Sequence, residues 1–243
     1  MLILSLDTTT RGGSVAVIRL RQGCGATDAR DQQLLALVPG DAARSHTERL
    51  PAEIERALAQ AGVGRADIDL LAVATGPGAF TGLRIGIAAM QGLAMTLGRP
   101  VIGISALDAL AEEAADAGIT MVAPWMDAQR GEVFATLLDL AAARTLEPPL
   151  AAQPAAVLDA WRPHLQGRPA IFIGDAVERD APLIAAAGGG QWTTRTPPPL
   201  APALARIAGQ RAARGAAGLP HQLAPIYVRR PDVEIERERR DRS

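Results

Sequence analysis

The stretch GPGAFTGLRIG, residues 76–86, stands between an apolar run from Leu70 to Ala74 and a helical pattern that continues to Leu97. Strand, glycine-rich turn and helix in that order mark an α/β fold, and backbone N–H groups at such a helix start bind anions without side-chain help. No GK[ST] follows, so this is not a P-loop. Gly76, Gly78 and Gly82 give GxGxxxG, one residue longer than the dinucleotide fingerprint. Spacing alone leaves two uses open: a tight turn with close helix packing, or a phosphate site.

The helix that follows, Gly82 to Leu97, is apolar or small nearly all round. At about 100° per residue, Gly82, Gly86 and Ala89 form a small-residue face, while Leu83, Ile87, Met90, Ala94 and Leu97 form an apolar one. A helix apolar on more than one side must be covered on more than one side, by its own sheet and a neighbouring helix or by a partner protein.

Working outward, Leu2–Leu6, Ser14–Leu20 and Gln33–Val38 read as strands, with DTTTRGG as the first turn. Residues 45–61 form a second helix with a capping-box pattern at Ser45 and Glu48 and a C-cap at Gly62; Pro51 inside it predicts a kink. Val101–Ile104 is a strand and Ala106–Ala117 a helix. The order then partly repeats: strands at Thr120–Met126, Glu132–Leu140 and Ala170–Ile173, helices near Ala176–Ala187 and Ala201–Arg214, with GGGQWTTRTPPP read as a loop. Two similar α/β halves with mixed sheets result, residues 1–104 and 105–228, ahead of a charged tail at 229–243 expected to be mobile.

Composition narrows the chemistry. All 25 basic residues are arginine, so there is no lysine for Schiff-base chemistry, for proton abstraction or for a P-loop. A net charge of −1 and 3% aromatic residues argue against a self-standing RNA-binding module. His46, His164 and His221 are far apart in sequence and form no HxxxH pattern, and the one cysteine, Cys24, rules out an internal disulfide framework. Residues 2–6 meet Asp7 at once, so no signal peptide or membrane span is expected at that end, and a cytoplasmic protein is. Three carboxylates, Asp7, Asp127 and Asp175, stand at strand ends. With Thr8, Thr9, Gly76 and Gly78, Asp7 could hold a metal–nucleotide, or be ordinary turn chemistry.

Taken together, LSLDTTT, GGSVAV, SHTERLP, ATGPGAFTGLRIGIAAMQGLA, PVIGISALDALA and MDAQRGEVF, with a YVR segment near the C-terminus, resemble the bacterial TsaB family, formerly YeaZ. The resemblance covers roughly the first 135 residues. It implies an actin-like (ASKHA) fold of two ribonuclease-H-like halves and a part in making N6-threonylcarbamoyladenosine at position 37 of tRNAs that read ANN codons. It implies as partners a catalytic paralogue, TsaD, and an ATPase, TsaE, while a TsaC-type synthase supplies threonylcarbamoyl-AMP. The paralogue carries a metal-binding HMEGH segment, and the matching residues here are Ala106, Leu107, Asp108, Ala109 and Leu110. Ala106 and Leu110 replace the two histidines and cannot ligate an ion. The expectation is a non-catalytic subunit, with no catalytic residue, metal or firm cofactor, and at most weak or inter-subunit ATP or ADP at a vestigial loop. No membrane contact is expected, tRNA is reached only through the complex, and self-association without the partner is left open. The expected docking surface is Leu50, Ile54 and Leu58 on the first helix with Gly82, Leu83, Gly86, Ile87 and Met90 on the second. The rival reading is an enzyme acting alone, an ASKHA-type ATPase or kinase or a glycoprotease-like hydrolase.

Overall fold

The computed structural model describes residues 1–21, 32–41, 43–115, 119–216 and 218–229. Its ten strands and six helices run β1 (Leu2–Asp7), β2 (Ser14–Leu20), β3 (Gln32–Pro39), α1 (His46–Ala61), β4 (Leu70–Gly76), α2 (Phe80–Leu97), β5 (Val101–Ser105) and α3 (Ala106–Glu113) in the first part. β6 (Met121–Asp127), β7 (Val133–Asp139), β8 (Arg144–Ala152), α4 (Pro154–Leu165), β9 (Ala170–Ile173), α5 (Val177–Gly188), β10 (Trp192–Arg195) and α6 (Ala201–Ala213) follow.

The strands form two sheets of identical plan, ordered β3-β2-β1-β4-β5 and β10-β9-β6-β7-β8. In each, three strands joined as antiparallel hairpins are extended on the far side of the first strand by two parallel ones. The half-repeat read from sequence is therefore real. Three elements were not read: β8, α4 and β10. Both strands are sheet edges, and the register of β8 against β7 shifts at Pro148 and Pro149, which have no paired partner there. A proline-rich edge resembles a loop in sequence.

Three apolar layers hold the molecule. α1 and α2 lie side by side on the outer face of the first sheet, burying Leu50, Ile54, Leu58, Leu83, Ile87 and Met90 against Leu4, Val15, Leu71 and Val73. α4 and α5 cover the outer face of the second sheet around Trp125, Trp161 and Phe172. Between the sheets, α3 and α6 share one core with residues of both, from Ile3 and Leu70 to Val122 and Ile171. α6 belongs to the first sheet: Ala201 O accepts from Ser5 Oγ at 2.7 Å, and Ala201 N donates to Ser14 Oγ at 3.1 Å. Within the expected second unit, 105–228, the residues from α6 onward return to the first sheet. The expected mobile tail begins at Arg229, which is described and held in place; residues 230–243 lie outside the described set.

Among the described residues one helix, α2, is long and apolar enough to cross a membrane, with mean hydropathy 1.2. Leu83, Ile87, Met90 and Ala94 are packed on the sheet, while Phe80 and Met95 are exposed.

Candidate docking face and inter-lobe cleft

The first turn is closed on itself. Asp7, 1% exposed at the end of β1, accepts from Thr9 N at 2.8 Å, Thr9 Oγ1 at 2.6 Å and Thr10 Oγ1 at 2.6 Å. Gly13 N in turn donates to Thr10 Oγ1 at 3.1 Å. These three bonds are the turn chemistry that Asp7 also allowed in sequence. Thr8 and Thr9 are buried, and Thr8 Oγ1 has no hydrogen-bond partner.

The matching turn of the second lobe is built differently. Gln129, Arg130 and Gly131 take φ of 63°, 55° and 75°, three successive left-handed residues. For the two that carry side chains this costs about 1–2 kcal/mol each. Asp127 holds the turn by accepting from Gln129 N at 3.0 Å, and it pairs with Arg179 at 2.9 Å. Asp175 accepts from Asp127 N at 2.9 Å. Its carboxyl is held above the usual range chiefly because surrounding protein replaces water on its inner side, with Asp127 and Asp7 adding like charge. The three strand-end carboxylates are thus near enough to act on one another by charge, but of the three only Asp127 lines the cleft between the lobes. Among the described residues, no group of three or more His, Cys, Asp or Glu is arranged to hold a metal.

His46 opens α1, as its place after the Ser45 cap predicts. Arg49 Nη2 donates to His46 Nδ1 at 2.6 Å, and Arg49 Nη1 reaches both Glu53 oxygens at 2.7 Å. Burial, then the Arg49 charge, holds the imidazole below its ordinary value, against the opposing pull of Asp7 and Glu53. Sequence reasoning gave this cluster no role; its signal is the i, i+3, i+7 spacing of His46, Arg49 and Glu53 on one helix face. Cys24 lies outside the described residues.

The expected docking residues need correction. Leu50, Ile54, Leu58, Leu83, Ile87 and Met90 are all buried in the core beneath α1 and α2. Gly82 and Gly86 face inward too. A Cβ on Gly82 would stand 2.4 Å from Thr8 O, and one on Gly86 2.1 Å from Thr8 Oγ1. Both helices therefore turn their large apolar and glycine faces into the protein, and these eight residues are buried in the isolated chain. The opposite faces are open: Pro51, Ala52, Glu55 and Ala59 on α1, and Thr81, Ala88, Gly92 and Met95 on α2, with Ile85 half-buried. Met95 is 74% exposed. Positions 81, 85, 88, 92 and 95 lie along one stripe of α2. Sequence carried this signal, since an all-round apolar helix has a second face, but the larger side chains mark the core.

The segment at Ala106–Leu110 is also settled by position. It forms the first turns of α3, where Ala106 and Leu110 are buried between the sheets and Asp108 pairs with Arg211 at 3.0 Å.

Comparison with known proteins places this geometry. The family model of the tRNA N6-adenosine threonylcarbamoyltransferase TsaD matches residues 31–158. An uncharacterized protein of Mycobacterium tuberculosis is 34% identical over 96% of this chain and 93% of its own length. The tRNA threonylcarbamoyladenosine biosynthesis protein TsaB of Escherichia coli is 38% identical over 55% of this chain and 53% of that one. YeaZ from Pseudomonas aeruginosa superposes with a TM-score of 0.70 at 29% identity, over 93% of this chain and 99% of that one. The chain belongs to the TsaB (YeaZ) family of tRNA threonylcarbamoyladenosine biosynthesis, with an actin-like fold.

Proposed function

We propose that this chain is a non-catalytic subunit of the complex that transfers a threonylcarbamoyl group from threonylcarbamoyl-AMP to N6 of adenosine 37 in tRNAs reading ANN codons. The observation that carries the reading is the ALDAL sequence at 106–110. Where the catalytic paralogue has metal-ligating histidines, this chain has Ala106 and Leu110, both buried in the inter-sheet core. Neither side chain has an electron pair to offer an ion, and neither reaches a solvent cleft. Asp7, the other group that could serve chemistry, is satisfied by its own turn.

The subunit acts by docking. The exposed stripe of α2, with the neighbouring exposed face of α1, offers small residues that let another helix pair approach closely. Ile85 and Met95 supply apolar area worth about 25 cal/mol per Å² before association costs. The partner is a TsaD-like catalytic paralogue, with a TsaE-like ATPase completing the complex and tRNA reached through it. A tRNA-modification reaction rebuilt from purified components tests this. Omitting this chain should abolish modification, and omitting the paralogue should leave this chain inert. Modification by this chain without the paralogue, or ATP turnover by it that disappears on Asp7→Ala, would overturn the reading in favour of an independent enzyme.

A further inference from the structure

The YVR segment, Tyr227–Arg229, is unused by any role above, yet it and the residues before it are held by contacts along their length. From residue 218 the chain runs back along the first lobe. Val101 N donates to Gly218 O at 3.1 Å, and Gln91 Nε2 donates to Pro220 O at 2.9 Å and Leu223 O at 3.1 Å. Ile226 N then donates to Thr75 O at 2.7 Å, beside the last residue of β4. That last residue is Gly76, at φ 109°, and a Cβ there would stand 2.8 Å from Ile226 O. The first glycine of the opening motif thus admits this protein's own C-terminal segment.

The next three residues join the lobes. Tyr227 stacks on Phe80 with ring centroids 5.6 Å apart, and its hydroxyl accepts from Arg84 Nε at 2.9 Å. The Arg84 guanidinium lies over the Phe80 ring at 3.8 Å, so Tyr227 holds two residues of α2 that also hold each other. Val228 packs against the inter-sheet core. Arg229 crosses to the second lobe, where Nη1 donates to Ala128 O at 3.2 Å and the guanidinium pairs with Glu132. Those two residues flank the left-handed turn at 129–131. Residues 226–229 also line a cleft of about 340 Å³ whose other walls are Pro77–Phe80 and Asp127–Arg130.

We propose that residues 218–229 are a latch that fixes the two lobes against each other and couples the strained turn of the second lobe to the first turn of α2. The same four residues hold both, so releasing either end frees the other. A molecule bound in the cleft between Phe80 and Gln129 lies against residues 226–229, and where it pushes them aside α2 loses its grip at Arg84. The inference concerns the isolated chain and stands whether or not α2 docks a partner.

Amide hydrogen exchange on the full chain tests it at both ends. Arg229→Ala removes the second-lobe anchor, and exchange at residues 80–84 should speed up about tenfold. Tyr227→Phe deletes one hydroxyl from the first-lobe anchor, and exchange at 128–132 should rise by a smaller but measurable factor. Amides in the middle of β4 should be unchanged in both. If each variant loosens only the residues it touches, the latch is two independent contacts and the proposal fails. Should Arg229→Ala not fold, Tyr227→Phe carries the same decision alone.

Discussion

Thr8 and Gly86 offer a test of which way α2 faces. Gly86→Ala places a methyl 2.1 Å from Thr8 Oγ1 and 3.2 Å from Thr8 Cβ, so rotating the threonine does not clear the site. Overpacking of this size costs about 1–3 kcal/mol, partly offset by the roughly 1 kcal/mol that alanine gains over glycine inside a helix. Thr8→Ala removes the hydroxyl at 2.1 Å and the methyl at 3.3 Å, leaving only the Cβ at 3.2 Å. On its own it is close to neutral, because losing a buried methyl is balanced by losing a buried hydroxyl with no partner. The double variant should therefore be at least as stable as the wild type, with a coupling of about 1–2 kcal/mol, or roughly 2–8 °C in Tm for a chain of this length. Gly82→Ala meets the Thr8 carbonyl at 2.4 Å instead, a backbone atom that Thr8→Ala leaves in place, so no rescue is expected there. Unfolding should be followed by far-ultraviolet circular dichroism, since Trp125, Trp161 and Trp192 all lie in the second lobe. Additive effects of Gly86→Ala and Thr8→Ala would refute the inward assignment. So would a Gly86→Ala protein of unchanged Tm that no longer binds its partner.

Other substitutions probe the remaining surfaces and charges. Ala88→Arg on the open stripe of α2 should weaken binding to the TsaD-like paralogue at least tenfold, about 1.4 kcal/mol, with Tm unchanged; titration calorimetry and a melting curve on one preparation check both. His46 is held below its ordinary 6.5, so its contribution to stability is present above pH 6.5 and lost as pH falls through the folded value. His46→Gln should flatten the acid limb of the stability profile, and an unaltered slope below pH 6.5 would count against it. Asp175 has the opposite sign: its folded value is raised, so its contribution is full below 3.8 and lost as pH rises through the folded value. Asp175→Asn, which keeps an acceptor for Asp127 N–H, should raise Tm at pH 7, and that gain should fade toward pH 3.8.

Sequence reading found the α/β halves because their signals are local. Apolar runs mark β1, β4 and β9, the last two ending at glycine, and the Ser45–Glu48 cap marks the start of α1; Ser45 N does donate to Glu48 Oε2, at 3.4 Å. The helix over Pro51 runs unbroken from His46 to Ala61. What was not local was misplaced. A small-residue stripe on α2 says only that something comes close, and the sequence does not say whether that is a partner or Thr8. The assignment turns on a contact between residues 8 and 86, distant along the chain.

The same reasoning explains why a loop that resembles a nucleotide site need not be one. Each glycine of GPGAFTGLRIG that faces inward meets an atom of this chain: Gly76 the Ile226 carbonyl, Gly78 and Gly82 the backbone of Thr9 and Thr8, and Gly86 the Thr8 hydroxyl. A phosphate cradle needs its glycines so that backbone N–H groups can approach a ligand. Here they let the first turn and the C-terminal segment approach α2, and Ala79 N already donates to Thr9 O at 3.2 Å. The pattern is kept because close packing and phosphate binding impose the same steric demand, the absence of a Cβ. A reader of sequence sees that demand but not its cause. The exposed stripe of the helix, Thr81 through Met95, carries none of the four glycines of that motif; its one glycine, Gly92, has an open Cβ position.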